Sequence, residues 1–380
     1  MTITLSDAQG RAIAAIRDWY KTRRHEQQVF RLFGYAGCGK TTITAMAMEA
    51  LGLEPMAPGG LGGVLFAAFT GKAAHVLRQK GCAGASTLHS LIYRAHRDPD
   101  GHLRFERNPD SELAYAGLVV VDEVSMVDAR LGTDLLAYGR RLLVLGDPGQ
   151  LPPVAGAGYF TAAPPDILLT EVRRHAQDNP VIHLATRARE GKTLPPGRYG
   201  ESAVVTAREV RAERIAGADQ VLAGTNATRL RLTRRLRELA GRPTPEPGPG
   251  DKLVCLRNRA SRGLLNGSLW IVRGLQPGSE PEIHRLTLDP EEGESGPIEV
   301  AVPRDILTGA REPDDAETVG RGKPRTDPLT YGHALTVHKA QGSQWPHVAL
   351  FDEADVFGAD APRHRYTALT RASESVTVVV

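Results

Sequence analysis

Cysteine is scarce in this chain. Cys38, Cys82 and Cys255 are widely separated, with no CxxC and no Cys/His cluster. That spacing excludes a zinc module and a disulfide framework, and it fits a reducing compartment. Long apolar runs are missing as well. None approaches the roughly 20 residues needed to cross a bilayer. The opening MTITLSDAQGRAI lacks the basic-then-apolar order of a secretory leader. A soluble, cytoplasmic protein with no membrane partner is expected. Nor is there an excess of one charge: 47 Lys and Arg stand against 44 Asp and Glu, for a net +3. No global basicity advertises a nucleic-acid partner.

Local charge says more. RLRLTRRLRELAGR (Arg229–Arg242) holds six arginines and one acid. Leu232, Leu236 and Leu239 lie at helical spacing, which leaves the arginines on the other face. That face reads either as solvated surface or as a phosphate-tracking surface.

With 380 residues, 41% of them apolar, the chain can build two domains with proper cores. β-like runs at Val29–Phe33, Val64–Phe69, Leu118–Val121 and Leu142–Leu145 alternate with helical stretches, the pattern of a parallel sheet wrapped by helices. The first domain is expected over 1–165. Within it, 93–117 breaks the pattern, and Asp100-Gly101 between short flanks signals a hairpin insertion. A second α/β unit begins near Asp166, with a strand at Gln220–Gly224 and a helix at 226–240. GRPTPEPGPG (241–250) interrupts it. Short β-like runs follow at Lys252–Leu256, Leu269–Val272, Glu282–Leu288 and Ile298–Val302, so a small β-barrel is expected over 246–325. Thr308–Pro328 reads as loop. The second domain is therefore 166–245 plus 326–380. Its α/β pattern resumes at Leu329 and closes on a strand at Val376–Val380.

Gly34-Tyr-Ala-Gly-Cys-Gly39-Lys40-Thr41 fits GxxxxGK[ST] in full, between a β-like run and a helical one. In such a loop, glycines let backbone N–H groups converge on phosphate oxygens, and the helix N-terminus adds positive potential. Lys40 should reach the β- and γ-phosphates, and Thr41 should ligate Mg²⁺. Cys38 inside the loop reads as a small filler. By itself the loop implies only nucleotide binding. The apolar run Leu118–Val121 ends in Asp122-Glu123, and the carboxyl end of a strand is where α/β sheets bind ligands. Asp122 would hold the Mg²⁺ shell, and Glu123 would polarise an attacking water. That pair favours hydrolysis. Gln150 follows the next apolar run, where it can touch the γ-phosphate or the water; read alone, GDPGQLPP is a turn. Arg174 and Arg371 lie far downstream. An arginine brought across a cleft accelerates phosphoryl transfer on the order of 10³–10⁵, although either alone would pass for a surface residue.

Taken in order, LSDAQGRAI (5–13), GYAGCGKTT, FTGKAA (69–74), STLHSLI (86–92), VVVDEVSM, GDPGQLPPV, LTEVRRH, YGHALTVHKAQGSQW (331–345) and YTALTRA (366–372) resemble the motif series of superfamily-one helicases, in the RecD/Dda branch. The nine motifs span nearly the whole chain. The resemblance implies two RecA-like parallel-sheet domains in tandem, with a hairpin pin on the first and an SH3-like barrel inserted in the second. It implies ATP and Mg²⁺ as cofactors and single-stranded DNA and ss/dsDNA junctions as partners. It further implies 5′→3′ translocation with unwinding, action as a monomer alongside replication or recombination proteins, and a bacterial or phage origin. Gln9 would read adenine, although Ser6-x-x-Gln9 is also a capping box. Gly37, Cys38, Gly39, Lys40, Thr41, Thr42, Gly342 and Gln344 would contact nucleotide. Thr70, Lys72, His89, Asn226, Arg229, Thr336, His338 and Lys339 would contact the strand, mainly at phosphates. The chain departs from the family at Phe69, where proline is usual, and at Ala340 and Gln344, where KSQGSE is usual. Phe69 could stack on a base or fill the core. An ATP-switched protein that translocates or clamps without unwinding, a small-molecule P-loop phosphotransferase and an RNA track are the competing readings. No RNA-specific aromatic code is visible.

Overall fold

The computed structural model describes residues 5–22, 27–97, 103–153, 156, 158–171, 179–257, 259, 262–276, 281–291, 296–310 and 326–380. The chain divides into two compact units, Met1–His183 and Leu184–Val380.

The first unit holds the strands β1 (Val29–Gly34), β2 (Val64–Ala68), β3 (Ser86–Thr87), β4 (Tyr93–Arg97), β5 (Leu103–Arg107), β6 (Leu118–Asp122), β7 (Leu142–Gly146) and β8 (Ile167–Leu169). Its main sheet runs β3-β2-β6-β7-β1-β8, and every pair in it is parallel. Period two sorts the strand side chains to opposite faces. Leu118 and Val120 of β6 join a core with α1 (Asp7–Lys21), α2 (Lys40–Leu51) and α3 (Gly71–Gln79). Val119 and Val121 join one with α4 (Leu88–Ile92) and α5 (Ala129–Leu136). Each such fully buried side chain contributes about 1.5–3 kcal/mol. Four of these helices, α1, α3, α4 and α5, start on sequence-coded caps: the Ser6/Gln9 box, Thr70, Thr87 and Asp128 each bond a first-turn amide.

The first sheet extends beyond the expected limit at 165. Ile167–Leu169 pairs parallel with β1, Leu32 opposite Ile167. Asp166 pins it by accepting from Arg31 N and Gln27 Nε2, both at 2.7 Å. A strand this short leaves too little periodicity to assign it to either domain. β4 and β5 form the expected antiparallel hairpin, Tyr93 opposite Arg107. Its turn at Asp100-Gly101 lies outside the described residues, as do Arg174 and most of the Thr308–Pro328 stretch.

The chain passes to the second unit within α6 (Pro180–Arg189). There β9 (Gly197–Tyr199) and β10 (Ser202–Val205) are followed by α7 (Ala212–Ala216), β11 (Gln220–Ala223) and α8 (Asn226–Leu239). Then come β12 (Lys252–Cys255), β13 (Leu269–Leu275), β14 (Ile283–Pro290), β15 (Ile298–Pro303), α9 (Arg304–Thr308), β16 (Leu329–Tyr331), β17 (Ala334–Thr336), β18 (Trp345–Phe351), α10 (Ala361–Leu369) and β19 (Ala372–Val379). One sheet runs β17-β11-β18-β19-β10-β9, parallel except for the β10–β9 edge. The other is antiparallel, in the order β15-β14-β13-β12-β16.

Two expectations are corrected here. Leu329–Tyr331 does not resume the α/β sheet. It pairs with β12, Leu253 opposite Tyr331, and extends the small sheet. Arg237 does not lie on a solvated helix face. It is buried against Asp251, while Leu239 on the supposed apolar stripe is 43% exposed. A periodicity count cannot foresee a buried carboxylate supplied from outside the helix. Among the described residues no helix is long and apolar enough to cross a membrane.

Candidate functional site

Three neighbouring strands of the first sheet, β6, β7 and β1, send their carboxyl ends to one edge. β1 delivers the glycine loop. Gly37 and Gly39 hold φ of 83° and 79°, left-handed values open to glycine at little cost. They curl the backbone into the cradle before α2. Lys40 Nζ donates to Gly34 O at 2.6 Å and Tyr35 O at 3.3 Å, so the ammonium is held inside the loop. Thr41 and Thr42 follow in the first turn of α2, half-buried. Cys38 is buried, its thiol 3.1 Å from Leu169 O, consistent with a packing role.

β6 delivers Asp122 and Glu123. Burial and the adjacent Glu123 carboxylate push Asp122 up to about 6, against the pull of Lys40. Glu123 takes φ 55°, and among the described residues it is the one non-glycine with positive φ. Its amide donates to Asp122 Oδ1 at 2.8 Å. β7 delivers Asp147 and Gln150. Asp147 Oδ1 accepts from Gly149 N at 2.9 Å, which shapes the turn. Gln150 Oε1 and Ser125 Oγ are buried and have no hydrogen-bond partner among the described residues. A native fold retains such groups where a ligand satisfies them. The residues fit a nucleotide with a divalent cation: the backbone amides of a glycine loop, an ammonium, a hydroxyl and a carboxylate whose raised pKa a cation would reverse.

Gln9 realises the capping box: its backbone N–H donates to Ser6 Oγ, and its Oε1 accepts from Ser6 N. Its Nε2 also donates to Cys38 O at 3.0 Å, tying α1 to the glycine loop. The side chain is therefore engaged within the protein at both ends.

Of the proposed strand contacts in this unit, Thr70 caps α3 and is buried, as is Lys72. Phe69 sets its ring against His89, 5.7 Å away and edge-to-face, and also packs on the core below. Burial holds His89 below its usual range, opposed by Asp128.

The second unit gathers its own group. Lys339 Nζ bonds Asn266 Oδ1 at 3.1 Å, and Lys339 N bonds Thr336 Oγ1 at 3.3 Å. Asn226 Oδ1 accepts from Arg229 Nε at 3.2 Å. Burial holds His338 low, opposed by Asp360. Gly342 has φ 76°, and Gln344 Nε2 bonds Thr370 O. Ala340 is fully buried, so its missing hydroxyl is a packing matter in this structure. Arg371 is buried and donates to Thr367 O, Ser343 O and Thr370 Oγ1, each at 3.1 Å. Sequence reasoning missed Glu353. It accepts from Gly224 N, Thr225 N and Thr228 Oγ1 at 2.9, 3.0 and 2.6 Å. Its signal was available: like Asp122-Glu123, it follows an apolar strand.

The family described as AAA domain matches residues 4–209, and a UvrD-like helicase C-terminal domain matches 331–379. The ATP-dependent RecD2 DNA helicase of Deinococcus radiodurans is 32% identical over 372 residues, covering 90% of this chain and 46% of that protein. The ATP-dependent DNA helicase dda of Enterobacteria phage T4 is 30% identical over 199 residues, covering 50% of this chain and 43% of that one. The chain thus spans about half the length of these curated relatives. A structure of Bacteroides Pif1 helicase with ADP-AlF3 and ssDNA superposes with a TM-score of 0.57 at 18% identity, over 100% of this chain and 93% of that one. One of Pif1 helicases at forked dsDNA gives 0.58 at 19% identity, over 99% and 92%. At these identities the likeness speaks for the fold, two RecA-like domains in tandem. With its AAA domain, its UvrD-like segment and its ordered motifs, the chain belongs to the superfamily-one helicases of the RecD/Dda type.

Proposed function

We propose that this chain is an ATP-dependent DNA helicase that moves 5′→3′ along single-stranded DNA and opens duplex at ss/dsDNA junctions. The observation that carries the reading is the convergence of the glycine loop, Asp122-Glu123 and Gln150 at the carboxyl ends of β1, β6 and β7. In this reading, loop amides from Gly37 to Thr42 bind the phosphates, and Lys40 exchanges its carbonyl acceptors for phosphate oxygens. Thr41 and Asp122 would hold Mg²⁺, which supplies charge neutralisation across the β- and γ-phosphates. Glu123, fixed by its strained backbone, orients and polarises the water that displaces ADP. Gln150 senses the γ-phosphate. Arg371, and Arg174 outside the described residues, stabilise the charge that builds as the bond breaks. Gln9, Gly342 and Gln344 line the nucleoside end.

The strand is gripped by Thr70, Lys72 and His89 in the first unit and by Asn226, Arg229, Thr336, His338 and Lys339 in the second. Hydroxyl, amide, imidazole and cationic donors suit a backbone held without base readout. The hairpin within 93–117 serves as the pin. The small antiparallel sheet, expected over 246–325 and extended by β16, serves as the SH3-like accessory module.

Unwinding of 5′-tailed against 3′-tailed DNA duplexes, with RNA tails alongside, tests the reading. Wild type opens the 5′-tailed DNA duplex in an ATP-dependent manner. Lys40→Ala loses hydrolysis while keeping most of its single-strand affinity. Near-wild-type ATPase in Lys40→Ala defeats the nucleotide-site assignment. ATPase indifferent to single-stranded DNA defeats the motor and favours a small-molecule phosphotransferase.

A further inference from the structure

In the second unit, β17, β11 and β18 are adjacent and parallel, with Ala223 opposite both Thr336 and Phe351. Their carboxyl ends therefore reach one edge, where open α/β sheets hold ligands. β17 ends on Thr336, and the segment after it carries His338 and Lys339. The segment after β11 carries Asn226 and Arg229. The helicase reading uses both. The segment after β18, residues 352–360, carries no role in it.

That third segment is bound to the second. Glu353 caps the start of α8 through Gly224 N, Thr225 N and Thr228 Oγ1. The approach is close enough that a Cβ on Gly224 would lie 2.7 Å from Glu353 Cβ and 3.4 Å from Phe357 Cε2. Phe357 therefore sits directly against the Asn226 segment. Its ring centroid is also 5.5 Å from that of His338. The phenyl ring bridges the two segments assigned to the sugar–phosphate chain.

Phe357 is not core filling. The apolar core of this sheet gathers around Val221, Leu232 and Ala349 and does not include it. The segment turns outward: Phe357 itself is only half-buried, Val356 is 71% exposed, and Gly358 takes φ 55°. One side of the phenyl ring is backed by His364, stacked at 4.1 Å with the planes 15° apart. His364 is buried, and both its ring nitrogens lack a hydrogen-bond partner among the described residues. An imidazole used this way offers only its flat face. Burial, with His338 and Arg365, keeps it uncharged against the pull of Glu353, its pKa down to about 4. Asp360 faces His338 from the same segment.

We propose that Phe357, backed by His364, is a stacking platform for a nucleobase of the bound single strand. His364 is a positioning residue for it. The proposal rests on the helicase reading and adds a base contact to an interface otherwise made of phosphate contacts. Aromatic faces accept any base, so the platform grips without selecting sequence.

The test measures binding of the full chain to oligo(dT) and to an abasic deoxyribose-phosphate oligomer of equal length, by fluorescence anisotropy over a salt series. Phe357→Ala should weaken oligo(dT) binding by roughly tenfold and leave abasic binding unchanged. The slope of affinity against salt should stay constant, because no phosphate contact is lost. Phe357→Leu, which keeps apolar bulk and removes the flat ring, should show the same difference and guards against a folding artefact. In Phe357→Trp, oligo(dT) should quench the added emission. His364→Phe should bind like wild type, and His364→Ala should lose part of the oligo(dT) preference. Equal weakening on both oligomers, or no weakening on oligo(dT), overturns the platform. Failure of wild type to bind either oligomer instead overturns the helicase reading, and the platform falls with it.

Discussion

Glu123 shows how the proposed nucleotide site is held at the level of single residues. A glutamate at φ 55° costs about 1–2 kcal/mol. The cost is sustained because Leu118–Val121 before it are fully buried and its amide is bound to Asp122. Asp122 is the second costly residue. Burial and Glu123 push it up to about 6, so below that pH the native state holds a proton that the unfolded chain releases above about 3.8. Stability from this group is therefore fully present below about 3.8 and is lost as pH rises through about 6. Asp122→Asn should raise the melting temperature of the nucleotide-free, metal-free protein at pH 7.5. The gain should shrink as pH falls from about 6 to about 4, and calorimetry across that range checks it. The same variant should lose turnover by on the order of 10²–10³. A pH-independent gain would mean that the carboxylate charge is not its source.

Among the elements, the β4–β5 hairpin stands apart from the parallel sheet. Its base is pinned: Asn108 N bonds Ile92 O at 2.8 Å, and Tyr138 Oη donates to Ile92 O and Asn108 O. Tyr93 Oη donates to Asp134. Phe105 further along is exposed. Because the base is closed by contacts outside 94–107, replacing that stretch with a short Gly-Ser turn should leave the sheet intact. Single-strand-stimulated ATPase should persist while duplex unwinding is lost. Retained unwinding on a tailed duplex would remove the hairpin from strand separation. The hairpin was legible from Asp-Gly between short flanks. β8 and β16 were not, because three residues carry no measurable period.

Across the second unit, the joint between α8 and the small sheet rests on Asp251. Its side chain is fully buried and pairs with Arg237 at 2.9 and 3.0 Å, with His333 Nε2 at 3.0 Å. Arg237 also bonds Thr244 O and Glu246 O and lies 4.2 Å over the Tyr331 ring. Burial opposes the charge, but hydrogen bonds from His333, Arg237 and Gly248 N hold Asp251 down at about 2. A depressed carboxylate stabilises above its unfolded pKa near 3.8 and loses that contribution as pH falls toward 2, on the order of 2 kcal/mol. Asp251→Asn leaves Arg237 buried without its charge partner. At pH 7 it should destabilise by about 3–5 kcal/mol and flatten the acid limb of stability below pH 4. Denaturant titration at pH 7 and pH 3 checks both, and an unchanged acid limb would place the acid sensitivity elsewhere.

The amino-acid sequence by itself determined the chemistry of the first unit. A glycine loop before Lys40-Thr41, and Asp122-Glu123 closing an apolar strand, are local patterns whose function follows from spacing and strand polarity. The order of the nine motifs carried the family. Only the tertiary structure decided what distant segments do to one another. It turned Arg237 from a surface charge into the core of a joint. It placed Leu329–Tyr331 in the small sheet and brought Glu353, Phe357 and His364 against Gly224 and His338. Such contacts depend on which strands become neighbours. Strand order arises from packing across the whole sheet, and no window along the chain contains it.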